Sequence, residues 1–353
     1  MISVKRFSLK VSQNQYDLIK KNGTQQAAVD LAVSTLLSKA TFPESDSKTK
    51  LDKQISFSLE EGEINSLYQK LSISTTRELL KSIRNAIDFS LRRHSQVGLF
   101  LKDLDEDLKE ILKKRIRDEW THDSNSIEGN TLTLGETSFI LNEGLTISGK
   151  SLREHDEVRG HANAIELIYC LANSPYLTKE DLFELHRAVM VNPPFDIDNP
   201  VGAWKRRENG AYWGREFIPY PSPSEIPHLM ELWLQNYNSL FDPETPTEAV
   251  KIYTQVMVSF TAIHPFFDGN GRMARLLANL KVIRQGFVPI TIDSGSRFQY
   301  LEIIKNFKLK EPRQGLETTG DYALFENFVY SEWQKTLKIV DEMRAIQRAR
   351  KGG

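Results

Sequence analysis

His264-Pro-Phe-Phe-Asp268-Gly-Asn-Gly271-Arg272-Met-Ala-Arg275 decides the fold, because this stretch joins two apolar helical patterns. The first pattern runs from about Thr247 to Ile263. The second runs from Met273 to Gln285 and meets Gly286, the residue type most common just past a helix C-terminus. Apolar residues at three- and four-residue spacing recur from residue 104 onward, as amphipathic helices require. We therefore predict a mainly α-helical chain in which this stretch is a loop between two core helices.

The loop has the composition of an anion site. Gly269-Asn270-Gly271 precedes a helix, so successive backbone N–H groups can point at one spot, reinforced by the positive helix end. Arg272 and Arg275 lie three residues apart, on one helix face beside it, and guanidinium groups suit phosphate oxygens. These residues predict a site for phosphate groups.

Two further residues of the loop supply chemistry. Asp268 adds a hard oxygen ligand beside the phosphates, which Mg²⁺ prefers. His264 is the nearby group that can accept a proton near neutral pH. Taken singly, each has an ordinary structural alternative, such as a helix cap for His264 or Asp268. Together they favour phosphoryl or nucleotidyl transfer.

His264–Arg275 resembles the Fic family in full, matching His-x-Phe-x-(Asp/Glu)-Gly-Asn-Gly-Arg-x-x-Arg. A second match lies upstream, where Ser124-Asn-Ser-Ile-Glu128-Gly fits the family's inhibitory motif, (Ser/Thr)-x-x-x-Glu-(Gly/Asn). The resemblance covers about residues 105–335. It implies the all-helical Fic fold and transfer of AMP from ATP to a Ser, Thr or Tyr hydroxyl of a protein, which can be this chain itself.

The resemblance also implies a role for each motif residue. His264 would be the general base, and Asp268 would hold Mg²⁺ on the α- and β-phosphates of ATP. The backbone of Gly269, Asn270 and Gly271 would bind the nucleotide. The side chains of Arg272, Arg275 and Tyr300 would bind it as well. Tyr300 corresponds to a family aromatic near the adenine, but Leu301 replaces the next aromatic.

Glu128 is the implied inhibitory residue, one helical turn after Ser124. In the family this glutamate pairs with the last arginine of the motif, here Arg275, and so removes the anchor of the γ-phosphate. Ala211-Tyr-Trp-Gly-Arg-Glu-Phe-Ile218 is the best hairpin candidate in the sequence. By resemblance it is the flap that holds the target segment through strand pairing, with Ala211, Tyr212, Trp213, Gly214 and Ile218 as its binding residues.

The composition of the chain limits the classes of protein to which it can belong. With 46 basic and 47 acidic residues in 353, the chain is close to neutral, which excludes a generally basic nucleic-acid coat. No apolar run reaches the ~18 residues of a membrane span, and the first residues lack the apolar core of a signal peptide. We expect a cytoplasmic protein that does not engage a membrane. Cys170 lies in an apolar helical run and is expected to be buried.

We divide the chain into an N-terminal appendage (1–95), a helical segment with the inhibitory motif (96–150), a Fic catalytic domain (151–335) and a C-terminal helical tail (336–353). The appendage carries 15 basic against 10 acidic residues. Phe7-Ser8-Leu9 recurs as Phe57-Ser58-Leu59, each before helical patterns. Two strand–helix–helix units would resemble ribbon–helix–helix DNA-binding modules. A helical appendage with a solvated basic face is the alternative.

Other functions stay open at this point. The same site could remove AMP from proteins, or transfer another nucleotide or a phosphate. The chain could also be a DNA-binding regulator with a secondary Fic domain, or a homodimer as family members often are. Gly144–Ser151 satisfies the phosphate-loop pattern GxxxxGK(S/T), which requires a preceding buried strand. Helical residues precede it here, so the pattern is expected to be accidental.

Overall fold

The computed structural model describes residues 4–11, 16, 19, 25–38, 53–94, 97–174, 176–192, 198–213, 216–240, 242–310 and 315–352. The chain divides into two compact units. The first comprises residues 1–97 with 173–176, and the second comprises residues 98–172 with 177–353. The boundary drawn at residue 150 therefore falls inside the second unit.

The first unit is a two-stranded antiparallel ribbon with helices. Its elements are β1 (Val4–Val11), α1 (Gln25–Ser38), β2 (Lys53–Glu60), α2 (Glu61–Leu71) and α3 (Thr76–His94). The strands pair from Val4 with Glu60 to Val11 with Lys53. Apolar side chains alternate along both strands and enter a core that they share with the helices.

The second unit is helical, as predicted, with one small hairpin. Its elements are α4 (Glu106–Ile127), α5 (Leu134–Glu143), α6 (Leu152–Leu171), α7 (Lys179–Val189), β3 (Gly210–Trp213), β4 (Glu216–Pro219), α8 (Ile226–Ser239), α9 (Pro246–Ile263), α10 (Asn270–Arg284), α11 (Arg297–Ile304) and α12 (Tyr322–Gly352). Short 3₁₀ turns lie at Leu99–Leu101 and Ser294–Ser296. Helix α12 runs across residue 336 without a break.

Helix α10 is the centre of this unit. Every residue from Arg272 to Arg284 is buried, and the helix contacts α9, α6, α7 and α4. It begins at Asn270, three residues earlier than predicted. Of the three residues Gly269-Asn270-Gly271, only Gly269 therefore precedes the helix, and Gly271 lies in its first turn. The early start has a local cause: Gly269 adopts a left-handed φ of 79° as the N-cap residue, a conformation that glycine takes without strain.

Helix starts follow the capping boxes in the sequence. Thr133 with Glu136, Ser151 with Glu154 and Thr245 with Glu248 each exchange the two expected hydrogen bonds. In each, hydroxyl and carboxylate satisfy backbone N–H groups that have no partner inside the helix. The pattern Ser/Thr-x-x-Glu thus marks the start of α5, α6 and α9 in the sequence.

The phosphate-loop pattern at 144–151 is a structural connection. Gly144 ends α5 in a left-handed conformation, so a helix and not a strand precedes the loop. Lys150 donates to the Thr131 carbonyl oxygen at 2.7 Å and approaches Glu136 at 3.9 Å. The pattern is accidental, as expected.

The cysteine of the chain lies on α6, and the lengths of the helices bear on whether one could span a membrane. Cys170 is exposed on α6, so the expectation that it is buried is wrong; the apolar run around it continues onto the outer side of the helix. None of the helices in the described ranges combines the length and apolarity that a bilayer crossing requires.

Shortening a buried side chain of α10 tests whether this helix lies at the centre of the core of the second unit. Leu277 is fully buried, so Leu277→Ala is expected to lower the free energy of unfolding by about 2–5 kcal/mol. Leu324→Ala is the matched control, since Leu324 is 50% exposed. Urea denaturation measures both. Equal losses in the two variants would contradict the assignment of α10 as the core helix.

Candidate active site

His264 lies where α9 ends. Its backbone is left-handed, with φ 54° and ψ 60°, which costs free energy for a residue other than glycine and is concentrated at functional sites. The ring Nδ1 lies 3.3 Å from the Thr261 carbonyl oxygen. Because a carbonyl only accepts, Nδ1 carries the proton, and Nε2 is left with its lone pair.

Tyr220 and Lys205 surround this ring. Tyr220 stacks on the imidazole with ring centroids 3.7 Å apart and planes 4° apart. The buried Lys205 ammonium lies 5.8 Å from the Tyr220 ring centroid. Burial, and next the charge of Lys205, lower the pKa of His264 to about 3. The imidazole is therefore neutral at ordinary pH and can take up a proton.

The loop after His264 is held by amide side chains. Asn270 bonds both the N–H and the carbonyl of Phe266, at 3.0 and 2.8 Å. Asn209 donates to the carbonyls of Phe266 and Phe267, at 3.1 and 3.2 Å. Lys205 in turn donates to Asn209 at 2.5 Å. A network that satisfies each buried polar group fixes the loop in one conformation.

His186 on α7 supports the same loop from the opposite side. Its Nδ1 accepts from the Gly202 N–H at 2.9 Å, so Nε2 carries the proton and donates to the Asp268 carbonyl at 3.1 Å. The ring stacks on Phe266 with centroids 3.8 Å apart. At Gly269 an added Cβ would lie 3.0 Å from Met190 Sδ. His186 thereby positions the turn that starts α10.

Arg272 and Arg275 are buried rather than exposed, at 4% and 2%. Among the described residues, Arg272 Nη2 contacts Met190 Sδ, at 3.4 Å, and its Nε has no hydrogen-bond partner. Within the same ranges, Arg275 Nη1 has no partner either, and both ring nitrogens of the fully buried His161 beside them lack one. Buried donors without acceptors are costly, and two such guanidinium groups mark a place for an anion.

Arg275 is bound by Ser124 and Glu128, the residues of the motif that the sequence predicts to be inhibitory. Its Nε donates to Ser124 Oγ at 3.0 Å, and its Nη2 donates to the Ser124 carbonyl at 2.8 Å and to Glu128 Oε1 at 2.7 Å. Burial lowers the pKa of Arg275, but the Glu128 carboxylate and Tyr300 together more than offset this, and the net shift is upward. Gly271 lies beneath Glu128: an added Cβ would sit 2.2 Å from Glu128 Oε1. A larger residue at this position would require the carboxylate to move from its present place.

Asp268 fits part of a magnesium site. Its side chain is 53% exposed, with Oδ1 on the Gly269 N–H at 2.6 Å and Oδ2 3.9 Å from Arg153 Nη2. Within the described ranges, no three Asp, Glu, His or Cys residues gather to hold a metal. One accessible carboxylate next to an anion site suits Mg²⁺ that is held jointly with phosphates, but not an all-protein cage.

The remaining predicted site residues are Tyr300 and the residues of the hairpin β3–β4. Tyr300 is buried, with the Arg275 guanidinium 5.9 Å from its ring centroid. Ala211 pairs with Ile218 in the hairpin β3–β4. Gly214 lies outside the described residues, and the side chains of Tyr212 and Trp213 are not described. The hairpin expected at 211–218 is confirmed; its role in binding a target stays a prediction.

A substitution at His186 tests its structural role. His186→Phe keeps an aromatic ring but leaves the Gly202 N–H and the Asp268 carbonyl without partners. We expect a loss of at least about 1–3 kcal/mol in the free energy of unfolding. His228→Phe, at an exposed position of α8, is the matched control in urea denaturation. An unchanged His186→Phe midpoint would show that these hydrogen bonds do not stabilise the loop.

Comparison with protein families gives one match. The model described as the Fic/DOC family matches residues 176–281, which include the loop and α10.

Curated relatives carry related names. Protein adenylyltransferase fic-1 of Caenorhabditis elegans is 38% identical over 180 residues, which cover 50% of this chain and 33% of that protein. Protein adenylyltransferase Fic of Drosophila mojavensis is 32% identical over 228 residues, which cover 64% and 42%. This chain therefore spans less than half the length of either relative.

Solved structures agree in fold. A Fic-domain-containing signalling protein from Bacteroides thetaiotaomicron is 28% identical with a TM-score of 0.61, covering 73% of this chain and 97% of that one. Fic-1 from Caenorhabditis elegans gives a TM-score of 0.54 at 23% identity, covering 80% and 83%. At that identity the second likeness concerns the fold alone.

Proposed function

We propose that this chain, which contains a Fic/DOC domain and has the Fic fold, is a protein adenylyltransferase that transfers AMP from ATP to a protein hydroxyl. The observation that carries the proposal is the juxtaposition of a neutral His264 with two buried arginines, each of which has one guanidinium nitrogen without an acceptor among the described residues. The names of the curated relatives support the same activity. The target is a protein that presents a Ser, Thr or Tyr hydroxyl.

In the proposed reaction His264 Nε2 takes the proton of the target hydroxyl. The hydroxyl oxygen then attacks the α-phosphate, the bond between the α-phosphorus and its bridging oxygen breaks, and pyrophosphate leaves. Proton transfer to a positioned base contributes about 10²–10⁴-fold to a rate. The stacked Tyr220 and the hydrogen bond to Thr261 support a single ring orientation for this step.

The phosphates would bind at the start of α10. Free backbone N–H groups at a helix N-terminus and guanidinium groups both favour phosphate oxygens. Arg272 would neutralise charge that develops on the transferred group, and Arg275 would take the γ-phosphate. Asp268 would hold Mg²⁺, which when bound neutralises charge on the α- and β-phosphates.

Glu128 would keep the enzyme inactive. Its carboxylate lies 2.7 Å from Arg275 Nη2 and directly above Gly271, so it competes with the γ-phosphate for the same guanidinium. ATP would then bind with its α-phosphate misaligned for attack. The hairpin β3–β4 would present an open strand edge to the target segment, which gives affinity with little sequence requirement.

Removal of Glu128 tests both the activity and its inhibition. Glu128→Gly is expected to raise AMP transfer at least about tenfold, and His264→Ala in the same background to lower it by about 10²-fold or more. The assay incubates each protein with Mg²⁺ and ATP labelled at the α-phosphorus in a cell lysate. Glu143→Gly, at the exposed end of α5, is the matched control and should label as the parent does.

Four outcomes would contradict the proposal. Equal labelling by the parent and Glu128→Gly, with a target present, would remove the inhibitory role of Glu128. Label from ATP marked only at the γ-phosphorus would indicate phosphate transfer instead. No label from ATP, with label from UTP, would indicate another nucleotide. Loss of AMP from a labelled target would favour the reverse activity.

The pH dependence tests the environment of His264. Burial and the Lys205 charge lower the pKa of His264 to about 3, and the base is competent only above its pKa. In Glu128→Gly, kcat/KM should therefore show no acid limb near pH 6.5. Lys205→Met removes a positive charge, raises the pKa and should move the acid limb upward. Lys251→Met, exposed on α9, is the control. An acid limb at pH 6.5 in Glu128→Gly without a second substitution would contradict the assignment of a buried, neutral His264 as the base.

A further inference from the structure

The first unit has an internal two-fold relation. Phe7 pairs directly with Phe57, its counterpart 50 residues later, and their rings stack at 5.7 Å. Equivalent residues of two antiparallel strands can face each other only on a two-fold axis. The helices follow the same exchange: α1 contacts β2, α3 contacts β1, and α1 contacts α3. One chain thus forms the intertwined arrangement that two identical chains would form.

The outward face of the ribbon is polar throughout its centre. The inward residues belong to the core of this unit, whereas the outward ones pair across the strands as Arg6 with Ser58, Ser8 with Ser56, and Lys10 with Gln54. Five of these six side chains are exposed and Ser58 is half-buried. All six side chains are of types that can form hydrogen bonds, and none is acidic or apolar.

The outer edges of the ribbon are covered by side chains. Gln26 accepts from the Ser58 N–H and donates to the Ser58 carbonyl, both at 2.9 Å. Gln25 accepts from the Ser56 N–H at 3.0 Å, and Arg84 donates to the Lys10 carbonyl at 2.9 Å. At these positions the backbone groups that an added strand would need are occupied. These bonds disfavour strand addition at Ser56, Ser58 and Lys10, and the polar outward face is the larger surface open to a partner.

We propose that this face binds duplex DNA in the major groove and reads base edges there. The groove is about 12 Å wide and admits a two-stranded ribbon. From residue 6 to residue 10 the face spans about 14 Å at 3.4 Å per residue, the length of about four base-pair steps. Arg6 and Lys10 suit guanine O6 and N7, and Gln54 suits adenine N6 and N7.

The two halves of the ribbon would not read the same bases. The counterpart of Arg6 is Ser56, and the counterpart of Lys10 is Glu60, which pairs with Val4 at the end of the ribbon. The cations of the face are therefore both on β1. A ribbon with two-fold backbone and asymmetric side chains binds a site that is not palindromic.

The test uses the full chain and a library of duplexes with a random 20-base-pair centre. Repeated selection should enrich one non-palindromic guanine-containing sequence, and fluorescence anisotropy then measures its affinity. Arg6→Ala with Lys10→Ala should weaken binding at least about 10-fold, given what such contacts contribute. Lys113→Ala with Lys114→Ala, both exposed on α4, removes the same charge and should bind as the parent does. Melting curves verify that each variant is folded.

A second arm needs no protein variant. Replacing guanine by 7-deazaguanine removes the N7 acceptor from the major groove and should weaken binding several-fold. No enriched sequence, equal losses in the two double variants, or no effect of 7-deazaguanine would overturn the proposal. Tighter binding to single strands or to duplex RNA of the same sequence would also overturn it, since the major groove of RNA is too narrow for side chains to read.

Discussion

The second unit depends on one buried cation, Arg275. Its guanidinium is held by a serine hydroxyl, a backbone carbonyl and the Glu128 carboxylate, and one nitrogen has no partner in the part of the chain that the structure describes. Removing a guanidinium from water is costly unless its donors are satisfied. The arginine therefore binds whichever acceptor is present. The inhibitory carboxylate and a nucleotide phosphate are, in this account, alternative partners of one charge.

The loop around His264 supplies the second half of the site. Its left-handed backbone at His264 and Gly269 is held by Asn270, Asn209 and His186, which come from three separate elements. Such a loop carries its geometry before any ligand arrives, which reduces the reorganisation that catalysis requires. The first unit has its own core, so the two functions proposed for this chain rest on separate packing.

Much of this could be predicted from the sequence because the informative residues are close in the chain. The site residues of the loop lie within twelve positions, from His264 to Arg275, and Ser124 and Glu128 lie one helical turn apart. Their spacing in the sequence therefore predicts their arrangement in space. The same holds for the capping boxes. Tyr220, Lys205 and His186 were missed, since they reach the loop from distant segments and no local pattern marks them. Tyr220 directly follows the hairpin, and that position was the available signal. The start of α10 was placed too late because the amide of Asn270 looks like a turn residue until its two bonds to Phe266 are known.

The claim that Glu128 and a γ-phosphate compete for Arg275 is tested most directly by calorimetric binding of ATP and ADP, with Mg²⁺, to the parent and to Glu128→Gly. The account predicts equal affinities of the parent for the two nucleotides. It predicts that Glu128→Gly prefers ATP by about 10- to 100-fold, the value of one charged hydrogen bond. A parent that already prefers ATP to the same extent as Glu128→Gly would contradict it.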